Sequence, residues 1–97
     1  MSASSEPQLA DVAERMVVLP KHLHARPAGQ IAQAAARHGA TMIELVSGDR
    51  RVNARSVLAV MALGAVAGST VEVVVTGVGA TMVADEIVVI LVSPEDE

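Results

Sequence analysis

The sequence contains no cysteine and no phenylalanine, tyrosine or tryptophan. The absence of cysteine excludes disulfides, a thiolate nucleophile and cysteine-ligated zinc, and it is typical of proteins of the reducing cytosol. Without aromatic rings, the core must be built from Val, Leu, Ile, Met and Ala, and single-stranded nucleic acid would find no stacking surface. The chemistry of this protein therefore depends on its histidines, its charged side chains and its hydroxyl groups.

Long uninterrupted apolar runs are also absent. The most apolar stretch, residues 71–92, is broken by Glu72, Asp85 and Glu86, so it falls short of the roughly 20 apolar residues that a membrane span needs. The first fifteen residues are polar and acidic, which argues against the apolar segment of a signal peptide. The sequence therefore predicts a cytoplasmic protein without direct membrane insertion.

The charges are few and unevenly distributed. With 97 residues, 52% hydrophobic and 19% charged, the chain has material for one domain and no more. Residues 21–55 carry six basic and two acidic side chains, whereas residues 56–97 carry six acidic side chains and no basic one. A nucleic-acid-binding protein would be basic overall, so this local positive region predicts an anionic group or an acidic partner protein instead.

The hydrophobic pattern predicts short strands alternating with helices. In chain order, the expected elements are a strand at 16–19, a helix from Pro27 to about Gly39, strands at 41–46 and 50–53 joined as a hairpin, a short helix after Ser56 and a strand at 71–76. Residues 1–15 are expected to form a disordered N-terminal extension, 16–93 the domain and 94–97 an acidic tail. This order predicts a two-layer α/β (α+β) sandwich with one antiparallel sheet and helices on one face.

The C-terminal segment has two interpretations. Residues 87–92 are almost entirely β-branched, which favours a strand. Four apolar residues nevertheless recur at helical spacing, namely Val83, Ile87, Ile90 and Leu91. They favour a helix with Asp85 and Glu86 near its N-terminus. Local preference and periodicity leave both interpretations open.

The segment LHARPA at residues 23–28 is the most informative for function. Pro27 predicts the first helical position, which places His24 just before a helix and Arg26 at its cap. The N–H groups of the first turn and the Arg26 guanidinium would attract a phosphoryl group attached to the His24 ring. The same positive surroundings favour the neutral, nucleophilic form of the ring. His24 is therefore a candidate phosphoryl acceptor, and a histidine that merely caps the helix is the alternative.

The other histidines and the methionines suggest no ligand. His22 and His24 form a His-x-His pair, but no cysteine or nearby carboxylate completes a set of three or four metal ligands, so neither a metal nor a cofactor is predicted. His38 is expected to stabilise the C-terminal dipole of the first helix. Three methionines are expected to fill the core or a docking face, namely Met42, Met61 and Met82.

The string LHARPA, between a short strand and an Ala-rich helix, resembles the active-site signature of the HPr family. These are the histidine-containing phosphocarrier proteins of the phosphoenolpyruvate-dependent sugar phosphotransferase system, and the chain is similar to them over about residues 16–91. The resemblance implies an open-faced sandwich, with a four-stranded antiparallel sheet and three helices on one face in the order β-α-β-β-α-β-α. It also implies that His24 accepts the phosphoryl group at ring Nδ1 and that Arg26 is its charge partner.

A second segment supports the resemblance. Residues 52–64 resemble the family's second motif, in which a serine opens a short helix that docks partner proteins. By position, Ser56 matches the serine that a dedicated kinase modifies in some bacterial lineages, and the matching docking residues are Val57, Leu58 and Met61. Ser56 also has the placement of an ordinary N-cap, and a phosphate there would add negative charge beside the docking face. Regulation and simple capping are both open at this point.

The resemblance implies a carrier that accepts its phosphoryl group from phosphorylated Enzyme I and passes it to the IIA domains of sugar permeases. Such a protein is a phosphocarrier with a covalent phosphohistidine intermediate, not a self-sufficient phosphotransferase, and we expect a monomer. One alternative is a carrier for a nitrogen-related regulatory branch. Another is a regulatory domain that binds a small anion without covalent modification. The chain departs from the usual family pattern at Lys21 and His22.

Overall fold

The computed structural model describes residues 11–93, which form seven elements in the order β-α-β-β-α-β-α. The elements are β1 (Val12–Val18), α1 (Ala25–Ala36), β2 (Thr41–Ser47), β3 (Arg50–Asn53), α2 (Val57–Ala62), β4 (Thr70–Gly77) and α3 (Ala80–Val92). The strands form one antiparallel sheet in the order β1-β4-β2-β3. The predicted fold class and element order are confirmed.

The core lies between one face of the sheet and the helices. Alternation along β4 buries Val71, Val73 and Val75, and the register of the sheet places Leu45 and Ile43 of β2 opposite the last two of them. Helix α3 packs against β1 and β4, and α1 packs against both other helices. Within residues 11–93, the buried hydrophobic cluster consists of aliphatic side chains.

The other face of the sheet is open in the part of the chain that the structure describes. It exposes Met16 and Met42, because each lies one residue away from a buried neighbour in its strand. Met82 is exposed on the outer side of α3. The predicted core location is therefore wrong for Met42 and Met82, and the alternative location on a docking face stays a prediction.

The C-terminal segment is a helix, which decides between the two interpretations of its sequence. Val83, Ile87 and Leu91 are buried along one side of α3, whereas Val89 on the opposite side is exposed. Burial of this stripe against the sheet outweighs the β preference of the valines. No helix within residues 11–93, α3 included, is long and apolar enough to cross a membrane.

The first strand begins at Val12, earlier than the predicted residue 16. It pairs with β4 along its whole length, from Val12 opposite Thr76 to Val18 opposite Thr70. Pairing with a neighbouring strand extends β1 through polar residues that hydropathy does not mark as a strand. The predicted disordered extension is therefore wrong for residues 12–15, while residues 1–10 and the predicted acidic tail at 94–97 lie outside the described residues.

Glu86 joins the end of α1 to α3. Arg37 donates a hydrogen bond to its Oε2, and His38 Nε2 lies 2.7 Å from its Oε1. The hydrogen bond from His38, which has the larger effect, and that from Arg37, which has the next largest, hold the pKa of Glu86 below the usual glutamate value of 4.5.

Because α3 begins at Ala80, Glu86 and Asp85 lie in its second turn and not near its N-terminus as predicted. His38 lies beyond the last turn of α1, so its partner is this carboxylate and not the predicted helix dipole.

This cluster predicts a pH-dependent contribution to stability. The folded-state pKa of Glu86 is depressed, so its carboxylate stabilises the fold above the unfolded-state pKa near 4.5, and this contribution is lost as pH falls through the folded-state value. Glu86→Gln should therefore destabilise the protein at neutral pH, by at most about 1 kcal/mol for such a partly exposed pair. Urea unfolding followed by far-UV circular dichroism should show the difference between wild type and variant shrinking on acidification. A difference that stays constant with pH would assign the effect to packing.

Candidate functional site

The loop between β1 and α1 presents two histidines on one surface. Its side chains alternate from residue to residue: Lys21 and Leu23 are buried, and His22 and His24 are exposed. The two imidazole ring centroids are 6.2 Å apart, and the ring planes are tilted by 44°. Extended backbone thus brings both rings to the same outer surface.

Tertiary hydrogen bonds fix this loop on both sides. The Leu23 N–H donates to the Ala65 carbonyl at 3.1 Å. On the other side, the Lys21 ammonium donates to the Ile90 carbonyl at 2.8 Å. Ile90 lies in the last turn of α3, where carbonyls receive no hydrogen bond from an N–H group of the helix. The loop is therefore positioned by the segment after α2 and by the end of α3.

His24 is the N-cap residue of α1. The helix begins at Ala25, two residues before the predicted start, so Arg26 is the second helical residue instead of the cap and Pro27 is the third. Proline, which has no backbone N–H, fits there because the N–H groups of the first turn have no acceptor inside the helix. The His24 side chain makes no capping hydrogen bond to this first turn. The alternative in which His24 merely caps the helix therefore lacks its defining bond.

Helix α2 presents an apolar surface, formed by Val57, Leu58 and Met61, that we call the α2 patch. Leu58 is 77% exposed, and the other two are partly exposed. Val60, on the side of the helix that faces the core, is fully buried. One side of α2 thus anchors the helix to the core, and the other is available for contact with another molecule.

Ser56 is the N-cap of α2. Its Oγ accepts a hydrogen bond from the Ala59 N–H at 3.0 Å, and its backbone is extended. The structure therefore shows the predicted capping role. Ser56 is also exposed, directly before the α2 patch. Whether it is phosphorylated stays a prediction.

An open, shallow depression connects the two histidines with the α2 patch. It is lined by His22, Leu23, His24, Met61, Gly64, Ala65 and Val66. Met61 belongs to both the depression and the α2 patch. The α2 patch therefore adjoins the depression that His24 lines.

The arrangement suits reversible attachment of an anionic group. An exposed imidazole offers a nucleophilic nitrogen, and the N-terminus of α1 with the Arg26 guanidinium provides positive potential for a phosphoryl group. Within residues 11–93, no cluster of three or more His, Cys, Asp or Glu side chains could hold a metal ion.

The contacts of Lys21 and His22 are not among the sequence-based predictions. Strict alternation in the loop was a usable signal for the burial of Lys21, since it lies two residues before the buried Leu23. His22 accepts a hydrogen bond from the Ala67 N–H, 45 residues away, and no local pattern could reveal such a contact.

Comparison with known proteins gives a consistent result. A family model described as the PTS HPr component phosphorylation site matches residues 13–92. A curated relative, phosphocarrier protein HPr of Treponema pallidum (strain Nichols), is 51% identical over 55 residues. That match covers 57% of this chain and spans 61% of the length of the relative.

Solved structures resemble the fold. A phosphocarrier protein HPr from Bacillus anthracis str. Ames has a TM-score of 0.76 at 24% identity, covering 82% of this chain and 96% of its own. HPr-C-His from Thermoanaerobacter tengcongensis has a TM-score of 0.71 at 25% identity, covering 84% of this chain and 90% of its own. These likenesses concern the open-faced sandwich itself, and the family match spans nearly all of the described residues.

Proposed function

Because this chain belongs to the HPr family, we propose that it is a phosphoryl carrier of the phosphoenolpyruvate-dependent sugar phosphotransferase system. His24 accepts the phosphoryl group from phosphorylated Enzyme I and passes it to the IIA domains of sugar permeases. The observation that carries the proposal is the position of His24: an exposed ring at the N-cap of α1, without a capping bond, beside the depression and the α2 patch.

The transfer is a displacement at phosphorus. The lone pair of His24 Nδ1 attacks the phosphorus atom, the new N–P bond forms, and the bond from phosphorus to the donor breaks, while His24 Nε2 keeps its proton. The second transfer runs the same step with His24 as the leaving group. A carrier has to hold and position the group, and the acceptor and donor proteins contribute the rest of each transition state.

Arg26 is the proposed charge partner of the phosphoryl group. Arg26 is the second residue of α1, two residues after His24. The proposed role is that its guanidinium, together with the positive N-terminal end of the helix, supplies positive potential at the phosphorylated ring. A phosphoryl group is more negative than the imidazole that it modifies, so positive groups nearby favour the phosphorylated form. Arg26 thereby raises the occupancy of the carrier without itself reacting.

We propose the α2 patch as the docking surface for Enzyme I and the IIA domains. A small exposed apolar surface suits a carrier that must bind and release each partner quickly. It adjoins the depression beside His24, so docking would bring the partner's reactive group to the imidazole. Association of this kind requires no second copy of the chain, and we propose that the carrier acts as a cytoplasmic monomer.

Leu58→Asp tests the docking surface. Leu58 is 77% exposed, so the change should leave the fold intact, but it places a charge where an apolar contact is proposed. We expect phosphoryl transfer from Enzyme I to slow about tenfold or more, as for loss of a central interface residue. Val78→Asp is the matched control, because Val78 is 76% exposed in the turn at the far end of β4. Equal transfer rates for the two variants would place docking elsewhere.

Ser56 is the proposed regulatory site, modified by a serine kinase. It is exposed at the start of α2, immediately before Val57 and Leu58. A phosphate there would add a charge of about −1.5 to −2 beside the α2 patch. The helix end tolerates such a charge, whereas an acidic partner would be repelled. Phosphorylation of Ser56 would therefore weaken docking while leaving His24 chemically unchanged.

The carrier chemistry is tested by incubating the protein with phosphoenolpyruvate and Enzyme I from the same organism. Intact-mass analysis and phosphorus NMR should detect one phosphoryl group that is labile in acid and stable in alkali. Saturable anion binding without a covalent adduct would instead identify a non-covalent regulatory domain. A carrier of a nitrogen-related branch would be phosphorylated in the same way but would not transfer the group to IIA domains of sugar permeases.

A further inference from the structure

We propose that His22 is a second phosphoryl-binding residue, whose Nε2–H donates a hydrogen bond to the phosphoryl group on His24. This inference rests on the proposed function, since it concerns the phosphorylated form of the site. His24 remains the acceptor, and His22 contributes only a hydrogen bond.

The first argument is the tautomer of His22. Its Nδ1 lies 3.1 Å from the backbone nitrogen of Ala67, whose N–H points at it. A backbone N–H can only donate, so Nδ1 must accept and cannot carry a proton. The single proton of the neutral ring is then on Nε2. A contact 45 residues away along the chain therefore leaves His22 with a donor on the ring edge away from Ala67.

The second argument is the position of that ring. The His22 and His24 ring centroids are 6.2 Å apart with a 44° tilt, so a group attached to one ring would lie close to the other. Both rings line the same open depression, and the bond to Ala67 holds His22 in place at its edge. A phosphoryl group on His24 would extend beyond the ring atoms into this shared space.

The third argument is the chemistry of the group to be bound. The outer oxygens of a phosphoryl group accept hydrogen bonds, and they carry negative charge, so a bond to them is stronger than one between neutral groups. A neutral imidazole with its proton on Nε2 supplies such a donor without bringing a positive charge against the Arg26 side chain. The acceptor oxygens of this bond exist only when His24 carries the phosphoryl group, so the bond favours the phosphorylated state.

Two isosteric substitutions separate this role from mere anchoring of the loop. In His22→Asn, the amide oxygen can take the place of Nδ1 and still accept from Ala67, but no donor remains at the Nε2 position. In His22→Gln, the longer amide places an N–H near the Nε2 position and loses the Nδ1 acceptor. If His22 only anchors the loop, Asn should preserve its function; if it binds the phosphoryl group, Gln should preserve more.

The quantity to measure is the equilibrium constant for phosphoryl exchange between this protein and Enzyme I, obtained by phosphorus NMR. Unlike a transfer rate, it does not depend on how tightly the partners dock, only on the relative stability of the phosphorylated and free forms. We expect His22→Asn to lower this constant about three- to tenfold and His22→Gln to lower it less. In wild type, the ¹⁵N resonance of His22 Nε2 should shift on phosphorylation of His24.

The outcomes separate this inference from the proposed function. If the wild type takes up no phosphoryl group, the proposed function fails and this inference fails with it. If His24 is phosphorylated but His22→Asn retains the wild-type constant, or the His22 Nε2 resonance does not move, only the role of His22 is refuted. Phosphorylation detected on His22 itself would also contradict the assignment.

Discussion

His24→Ala is expected to take up no phosphoryl group from phosphorylated Enzyme I while keeping the fold of the wild type. The imidazole provides the only proposed nucleophile, so its removal should abolish the adduct and not merely slow its formation. The ring is exposed on the surface and lies outside the core, so its loss should leave the fold intact. Intact mass and phosphorus NMR measure the adduct, and far-UV circular dichroism measures the fold.

Two further variants serve as controls for that result. His38→Ala removes a histidine at the opposite end of α1 that contacts Glu86, and it should be phosphorylated like the wild type. Arg26→Ala should be phosphorylated more slowly but still measurably, because charge stabilisation is one part of the site. A phosphorylated His24→Ala protein would refute the assignment of the acceptor, and wild-type kinetics for Arg26→Ala would refute its role as charge partner.

Gly77→Ala is expected to destabilise the fold strongly, although it adds only one methyl group. Gly77 has a backbone φ of +132°, a conformation that L side chains rarely adopt. A Cβ there would lie 2.8 Å from the Ala40 carbonyl oxygen and 3.0 Å from the Thr41 Cα, both of them backbone atoms that cannot move aside cheaply. We expect a loss of about 2 to 4 kcal/mol, a large part of the stability of a small domain.

Gly29→Ala is the matched control for this change. Gly29 lies within α1, and a Cβ on it would have no heavy atom within 4 Å. Alanine should therefore stabilise the helix by about 0.5 to 1 kcal/mol. Because the chain has no aromatic residue, both urea transitions should be followed by far-UV circular dichroism. Equal effects of the two substitutions would show that the close approach at Gly77 relaxes at little cost.

Gly77 lies at the end of the sheet where three segments of the chain meet. It pairs with Thr41 at the start of β2 and donates its N–H to the Asp11 carbonyl at 2.8 Å, so three segments meet there. The loop between β1 and α1, which carries His24, lies at the other end of β4, beyond Thr70. Substitution of Gly77 should therefore lower the free energy of unfolding without changing the chemistry of His24 in the protein that remains folded.

Local sequence determined a large part of this protein. The alternating and helical patterns predicted the element order as far as β4, because the buried face of a strand or helix is determined by residues that are close in sequence. The placement of Ser56 before a short helix predicted its capping bond for the same reason. The LHARPA string at residues 23–28 identified the candidate acceptor without any knowledge of the fold.

Tertiary structure decided what depends on contacts between distant residues. Residues 87–92 became helix because a sheet surface was available to bury one side of them, against the preference of their valines. Strand β1 extends to Val12 because β4 pairs with it. The bond between His22 and Ala67, and the closeness of His24 to Met61, join segments far apart in the chain. Such contacts depend on how layers pack, and packing is a property of the whole chain that no local pattern contains.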